Sequence, residues 1–201
     1  MTWSPTAVCP SGATDVTTTA NLDSFATARL RAERLTPDHL ADLRRMDMNQ
    51  AMMVTLGGVR DEAGTANYLD RNLAHWTEHG FGIWMLRDAE TGTMAGRAVL
   101  RHLDIEGVDE IEVGYGFLPE FWGRGLATEI AQACVRLGLE RLRLTSLVAL
   151  TLTSNNRSQR VLEKAGLNYE RDLMYANQPQ VLYRTVAPGA AQSRPQAAAG
   201  L

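Results

Sequence analysis

A chain of 201 residues, 45% hydrophobic and 21% charged, is long enough to bury a single domain's core and too apolar for a disordered polymer. Its formal net charge of −3 lacks the basic surface that nucleic-acid binding requires, so no nucleic-acid partner is expected. Cys9 and Cys134 are its two cysteines, and no apolar run reaches membrane-span length, so the sequence points to a soluble, cytoplasmic protein with no membrane partner.

In chain order, residues 1–27 are rich in Thr, Ser and Ala without periodicity and read as a disordered tail. Residues 28–186 form the domain, and 187–201 a second low-complexity tail. Apolar and charged residues alternate over 28–35, as in a half-buried strand. Thr36 caps a helix with Pro37 at its first position, running to about Met48. A Met- and Gly-rich connection over 50–61 precedes a helix over 64–79, which Gly80 ends.

A strand over 81–87 turns at 88–92 and returns over 93–102, and another strand covers 111–118. A helix then places Leu126, Ile130, Cys134 and Leu137 on one stripe. A β-branched strand spans 146–152, and a helix capped by Asn155 or Asn156 continues to Lys164 and stops at Gly166. Strands over 167–172 and 180–185 finish an α/β mixed-sheet order, β-α-α-β-β-β-α-β-α-β-β.

The most informative stretch is 111–128, a strand that stops at Pro119, crosses Gly123 and Gly125 and enters a helix. A helix N-terminus carries unpaired N–H groups and the positive dipole end, and glycines let an anion approach them. No Gly-x-x-x-x-Gly-Lys-Ser/Thr run exists, which excludes a Walker loop. A dinucleotide fingerprint fails as well, with Thr128 at its third glycine position and no carboxylate at the end of the next strand.

Trp122-Gly123-Arg124-Gly125-Leu126-Ala127 instead resembles the acyl-CoA signature Gln/Arg-x-x-Gly-x-Gly/Ala of the GNAT N-acetyltransferase superfamily. The segment Asn155 to Leu167 is similar to that family's Asn-x-x-Ser helix closing with Glu-Lys-x-Gly-Phe. Tyr115, Pro119, Glu120, Trp122, Gly123, Gly125, Ala127, Thr128 and Glu129 look most like the ribosomal-protein N-terminal acetyltransferase branch. The resemblance implies the GNAT fold with splayed central strands. It also implies acetyl-CoA as co-substrate and acetyl transfer to an amine-bearing substrate, a protein N-terminus or a small amine, by direct transfer in a ternary complex. A non-catalytic CoA-binding module is the alternative, and monomer and homodimer both stay open.

On that resemblance, backbone groups of Phe117 and Leu118 would pair with pantetheine, and the N–H groups of Gly123, Arg124, Gly125, Leu126, Ala127 and Thr128 would take the pyrophosphate. Arg124 either pairs with a phosphate or lies exposed. Glu112, a carboxylate in mid-strand, is the candidate general base, with a water chain as the other route. Asn155 would contact pantetheine or substrate, and Ser158, one turn on, would orient or protonate the departing thiolate. Two positions depart from the family pattern: Trp122 replaces Gln or Arg, and Leu162 stands where many members carry a general-acid Tyr. His75 and His79 have metal-ligand spacing, but no third ligand is evident and no metal is expected. Trp76, Phe81 and Trp84 are expected in core or rim, and Met46, Met48, Met52 and Met53 in a substrate wall or the core.

Overall fold

The computed structural model describes residues 22–189, so most of both expected tails lies outside the described residues. Ordered chain begins inside the stretch read as a tail. Strand β1 (Ser24–Ala26) pairs antiparallel with β2 (Leu30–Arg34). Phe25 packs edge-on against Trp84 at 5.4 Å, and the Trp84 indole N–H donates to the Leu22 carbonyl at 2.7 Å. These contacts are long-range, so no local pattern announces the strand.

Pro37–His39 forms one 3-10 turn ahead of α1 (Leu40–Asp47). The connection over 50–61 contains a short helix, α2 (Gln50–Met53), because the Asn49 side chain accepts the Met52 N–H at 3.0 Å. Helix α3 (Glu62–His79) starts earlier than its apolar pattern because Asp61 accepts the Gly64 N–H at 2.7 Å, and it ends at Gly80 with φ 72°.

Then follow β3 (Ile83–Asp88), β4 (Met94–Ile105), β5 (Val108–Phe117), α4 (Leu126–Arg136), β6 (Ser146–Leu152), α5 (Asn156–Lys164), β7 (Asn168–Tyr175) and β8 (Gln178–Val186). One sheet holds all eight strands in the order β1-β2-β3-β4-β5-β6-β8-β7. The β4–β5 hairpin is longer than its apolar residues suggest. Glu106 and Gly107, both at positive φ, make a tight turn whose twist suits paired strands.

The central core is continuous. Trp84, Ile83, Met85, Leu86 and Leu100 are fully buried, and α4 presses Leu126, Ile130 and Cys134 onto it. Trp76 and Phe81 lie in the same core, as do Met46, Met52 and Met53, whereas Met48 is exposed. Asp47, wholly buried, accepts from Arg60 and Arg97 at 2.9 Å each and so ties α1 to β4. Pairing of this kind is what makes a buried carboxylate tolerable.

Every neighbouring strand pair is antiparallel except β5–β6. Pairing with β4 runs the whole length of β5, from Val108 opposite Ile105 to Phe117 opposite Gly96. On its other side β5 meets β6 only at Glu112 opposite Val148, and beyond that point the two strands part.

Candidate active site

The glycine bend lies at the open end of this gap. After a 3-10 turn at Pro119–Phe121, the Trp122 indole N–H donates to the Phe117 carbonyl at 2.7 Å. Gly123 and Gly125 adopt φ of 74° and 75°, which a side chain would strain. Gly125 is the N-cap of α4 and supplies no side chain, so the N–H groups of Leu126, Ala127 and Thr128 have no helical partner. These are among the donors that the sequence reading expects to meet an anion.

Arg124 points elsewhere. Its guanidinium donates to Asp88 at 3.1 Å and covers the Phe121 ring. Bonds from the Thr91 backbone and, more weakly, from Arg124 hold the Asp88 carboxyl below its usual range despite burial.

Along the gap, backbone direction decides which groups are free. Leu118 donates its N–H to Ala95 at 2.9 Å, and its carbonyl, expected to meet pantetheine, already accepts one bond from Phe121 at 3.0 Å. Because Leu118 faces β4, alternation turns the backbone groups of Phe117 and Tyr115 toward β6. With the Phe117 carbonyl bonded to Trp122, the Phe117 N–H and both Tyr115 groups face the opening.

Side-chain alternation splits the remaining residues between the two faces of the sheet. On the α5 face, the Tyr115 hydroxyl lies 2.9 Å from the Ser158 hydroxyl. Asn155 is the cap of α5 and accepts the Ser158 N–H at 3.2 Å, which settles its competition with Asn156. Burial, opposed by the bond to Ser158, pushes the Tyr115 phenol up to about 12. The sequence showed Tyr115 as part of a motif, but its hydroxyl partner is 43 residues away and could not be read locally. Leu162 is buried in the core and supplies no proton.

Glu112 is on the opposite face, where its Oε2 accepts from Arg101 at 2.7 Å. The Glu112 charge raises Arg101 above its ordinary value, against burial. Gly116 shares this face, and a Cβ there would lie 2.7 Å from Met52 and 2.9 Å from Leu56. These apolar side chains therefore wall the gap, with Met52 serving wall and core together. Glu112 and the Tyr115–Ser158 pair, with Glu112 and Ser158 both expected in catalysis, thus lie on opposite faces of the sheet around the point where β5 and β6 part.

The structure adds His102 to His75 and His79, with candidate ligand atoms within 4.8 Å of one another. Both nitrogens of His75 are engaged with backbone: Nδ1 donates to the Phe81 carbonyl at 2.9 Å, and Nε2 accepts the His102 N–H at 3.0 Å. The ring bridges β4 to the chain just before β3 begins, a structural role.

The acetyltransferase (GNAT) domain family matches residues 29–168. Among curated proteins, the uncharacterized YkkB of Bacillus subtilis (strain 168) is 30% identical over 132 residues, covering 66% of this chain and 77% of YkkB. An FsC-acetyl coenzyme A-N(2)-transacetylase of Aspergillus fumigatus is 30% identical over 153 residues, which cover 71% of this chain and 64% of that protein. Among solved structures, a ribosomal-protein-S5-alanine acetyltransferase from Vibrio fischeri superposes with a TM-score of 0.67 at 14% identity, covering 83% of this chain and 98% of that one.

Proposed function

The chain belongs to the acetyltransferase (GNAT) family and is an N-acetyltransferase that uses acetyl-CoA; we propose that it moves the acetyl group directly to a primary amine within a ternary complex. One observation carries this reading. Where β5 and β6 stop pairing at Glu112, the Glu112 side chain lies on one face of the sheet and the Tyr115–Ser158 pair on the other, so donor and acceptor could enter from opposite sides and meet. The amine is that of a protein N-terminus or a small molecule.

The residues present fit acetyl-CoA. The α4 N–H groups of Leu126, Ala127 and Thr128, kept approachable by Gly123 and Gly125, would hold the pyrophosphate. The Phe117 N–H and Tyr115 backbone would pair with pantetheine, and the Asn155 amide NH2 is available to pantetheine or acceptor. Bound acetyl-CoA supplies an activated thioester carbonyl. Glu112 uses Oε2 on Arg101, and its Oε1 accepts the amine's proton, directly or through a water. Tyr115, held neutral, shares a hydrogen bond with the Ser158 hydroxyl; as the leaving thiolate takes the serine proton, the tyrosine proton passes to Ser158 and the phenolate is reprotonated from solvent.

The test is thiol release from acetyl-CoA across a panel of amines and N-terminal peptides. Intersecting double-reciprocal lines are expected, and parallel lines would refute the ternary complex. CoA binding with no turnover on any acceptor would favour the non-catalytic module. Glu112→Gln should lower kcat/KM about a hundredfold and remove the acidic limb of the pH profile. An unaltered profile removes Glu112 as the base.

A further inference from the structure

Arg29 lies in the connection between β1 and β2, 95 residues from the glycine bend that it touches. One terminal nitrogen donates to the Arg124 carbonyl at 2.7 Å. Its Nε donates to Glu129 Oε2 at 2.7 Å, and its other terminal nitrogen lies 2.7 Å from the same oxygen. The Arg29 backbone N–H donates to Glu129 Oε1 at 2.8 Å, and the Thr27 hydroxyl donates to it at 2.5 Å. A Cβ built on Gly125 would lie 3.6 Å from this guanidinium, which therefore rests against the bend itself.

We infer that Arg29 is a positioning residue for the phosphate cradle, acting on the Arg124–Gly125 peptide and on Glu129 together. The inference rests on the proposed CoA site.

The N–H and C=O of a trans peptide point in opposite directions. With the Arg124 carbonyl held by Arg29, the Gly125 N–H is turned away from that guanidinium and joins the free N–H groups of Leu126, Ala127 and Thr128. Glycine at 125 permits more than one backbone conformation, so without a tether this peptide can flip and aim an oxygen at the anion.

The second effect is electrostatic. Glu129 occupies the first turn of α4, where a bare carboxylate would repel a pyrophosphate seated on the same helix end. Burial tends to raise this carboxyl, yet the bonds from Thr27 and Arg29 hold it below its usual range. Arg29 thus cancels a charge that the cradle could not otherwise tolerate. Three of its five N–H donors are committed to Glu129 and the Arg124 carbonyl, which makes it a brace for the bend.

The experiment compares acetyl-CoA with S-acetylpantetheine, a donor that has the thioester but no pyrophosphate. CoA affinity is measured by calorimetry and thermal stability by melting. Arg29→Ala should weaken CoA binding and raise KM for acetyl-CoA about tenfold, the size of one charge-assisted hydrogen bond. The ratio of kcat/KM for acetyl-CoA to that for S-acetylpantetheine should fall by about the same factor. Adding Glu129→Gln to Arg29→Ala should recover about threefold, because the exposed carboxylate is gone. Equal losses on both donors would mean general structural damage and overturn the proposal, as would unchanged CoA affinity. If the unaltered protein does not bind CoA, the cradle assignment itself fails, a result distinct from either of these.

Discussion

The two edges of β5 differ in kind. Toward β4 it is hydrogen-bonded from end to end, and toward β6 it is joined at Glu112 alone. The first seam holds the sheet together; the second leaves backbone donors and acceptors where a ligand's amides can take them up. One strand is therefore scaffold on one edge and, in the function proposed, binding surface on the other. The side chains follow the same division. Gly96 allows close backbone approach at the paired seam, while Tyr115 and Glu112 send their side chains to opposite faces of the sheet.

The largest way to break this comparison is to spoil the open edge at its anion end. Ala127→Asp places a carboxylate among the unpaired N–H groups of α4 and should reduce CoA affinity at least about a hundredfold, seen by calorimetry. Undiminished binding would remove α4 as the cradle. Spoiling the closed edge should instead cost stability. A Cβ at Gly96 would lie 2.1 Å from the Gly116 carbonyl oxygen, so Gly96→Ala must push β4 from β5. Chemical denaturation should show a loss of about 1–3 kcal/mol. If stability holds, the tight seam is not a constraint.

A smaller effect sharpens the division between faces. Tyr115→Phe removes the hydroxyl beside Ser158 and should lower kcat about tenfold with KM for acetyl-CoA little moved. A change confined to KM would make the tyrosine a packing residue.

The smallest effect lies far from the gap. Burial holds His75 below its ordinary 6.5, opposed by its bond to the Phe81 carbonyl and reinforced by His79, His102 and Arg101. The unfolded chain then takes up the proton first on acidification. The contribution of His75 is present above about pH 6.5 and is lost as pH falls through its depressed value. The melting temperature should drop between pH 7.5 and pH 5.5, and His75→Gln, which keeps a donor and an acceptor, should flatten that drop. An identical slope in the variant would assign the effect elsewhere.

Much of this was legible in the sequence because it is written in neighbouring residues. The α4 stripe, the Asn155 cap and the Gly125 bend need only contacts a few residues apart, and each was read at or near its place. Strand β1 was not, because its reason is Trp84 on a distant strand. The full length of the β4–β5 hairpin was missed because its outer half is polar, and only pairing makes Asp104 and Glu110 strand residues. Arg124 was read as pairing with a phosphate or lying exposed and Leu118 as meeting pantetheine; that the Arg124 side chain bonds Asp88 and the Leu118 N–H bonds Ala95 depends on distant chain and was not legible. Arg29 carried no local signal, since its partners are Arg124 and Glu129.

The sequence by itself determined the family, the glycine bend ahead of α4 and the residue types available for acyl transfer. Those follow from short-range constraints: positive φ at a glycine, unpaired N–H groups at a helix start, a cap residue one turn before a serine. Only the tertiary structure decided that Glu112 and Ser158 lie on opposite faces of the sheet, that Tyr115 joins Ser158, and that Arg29 bonds both the Arg124 carbonyl and Glu129. Each depends on which strands pair and where one pair stops. Pairing is a long-range choice among backbone groups that every residue other than proline offers alike, so side-chain sequence marks it only faintly.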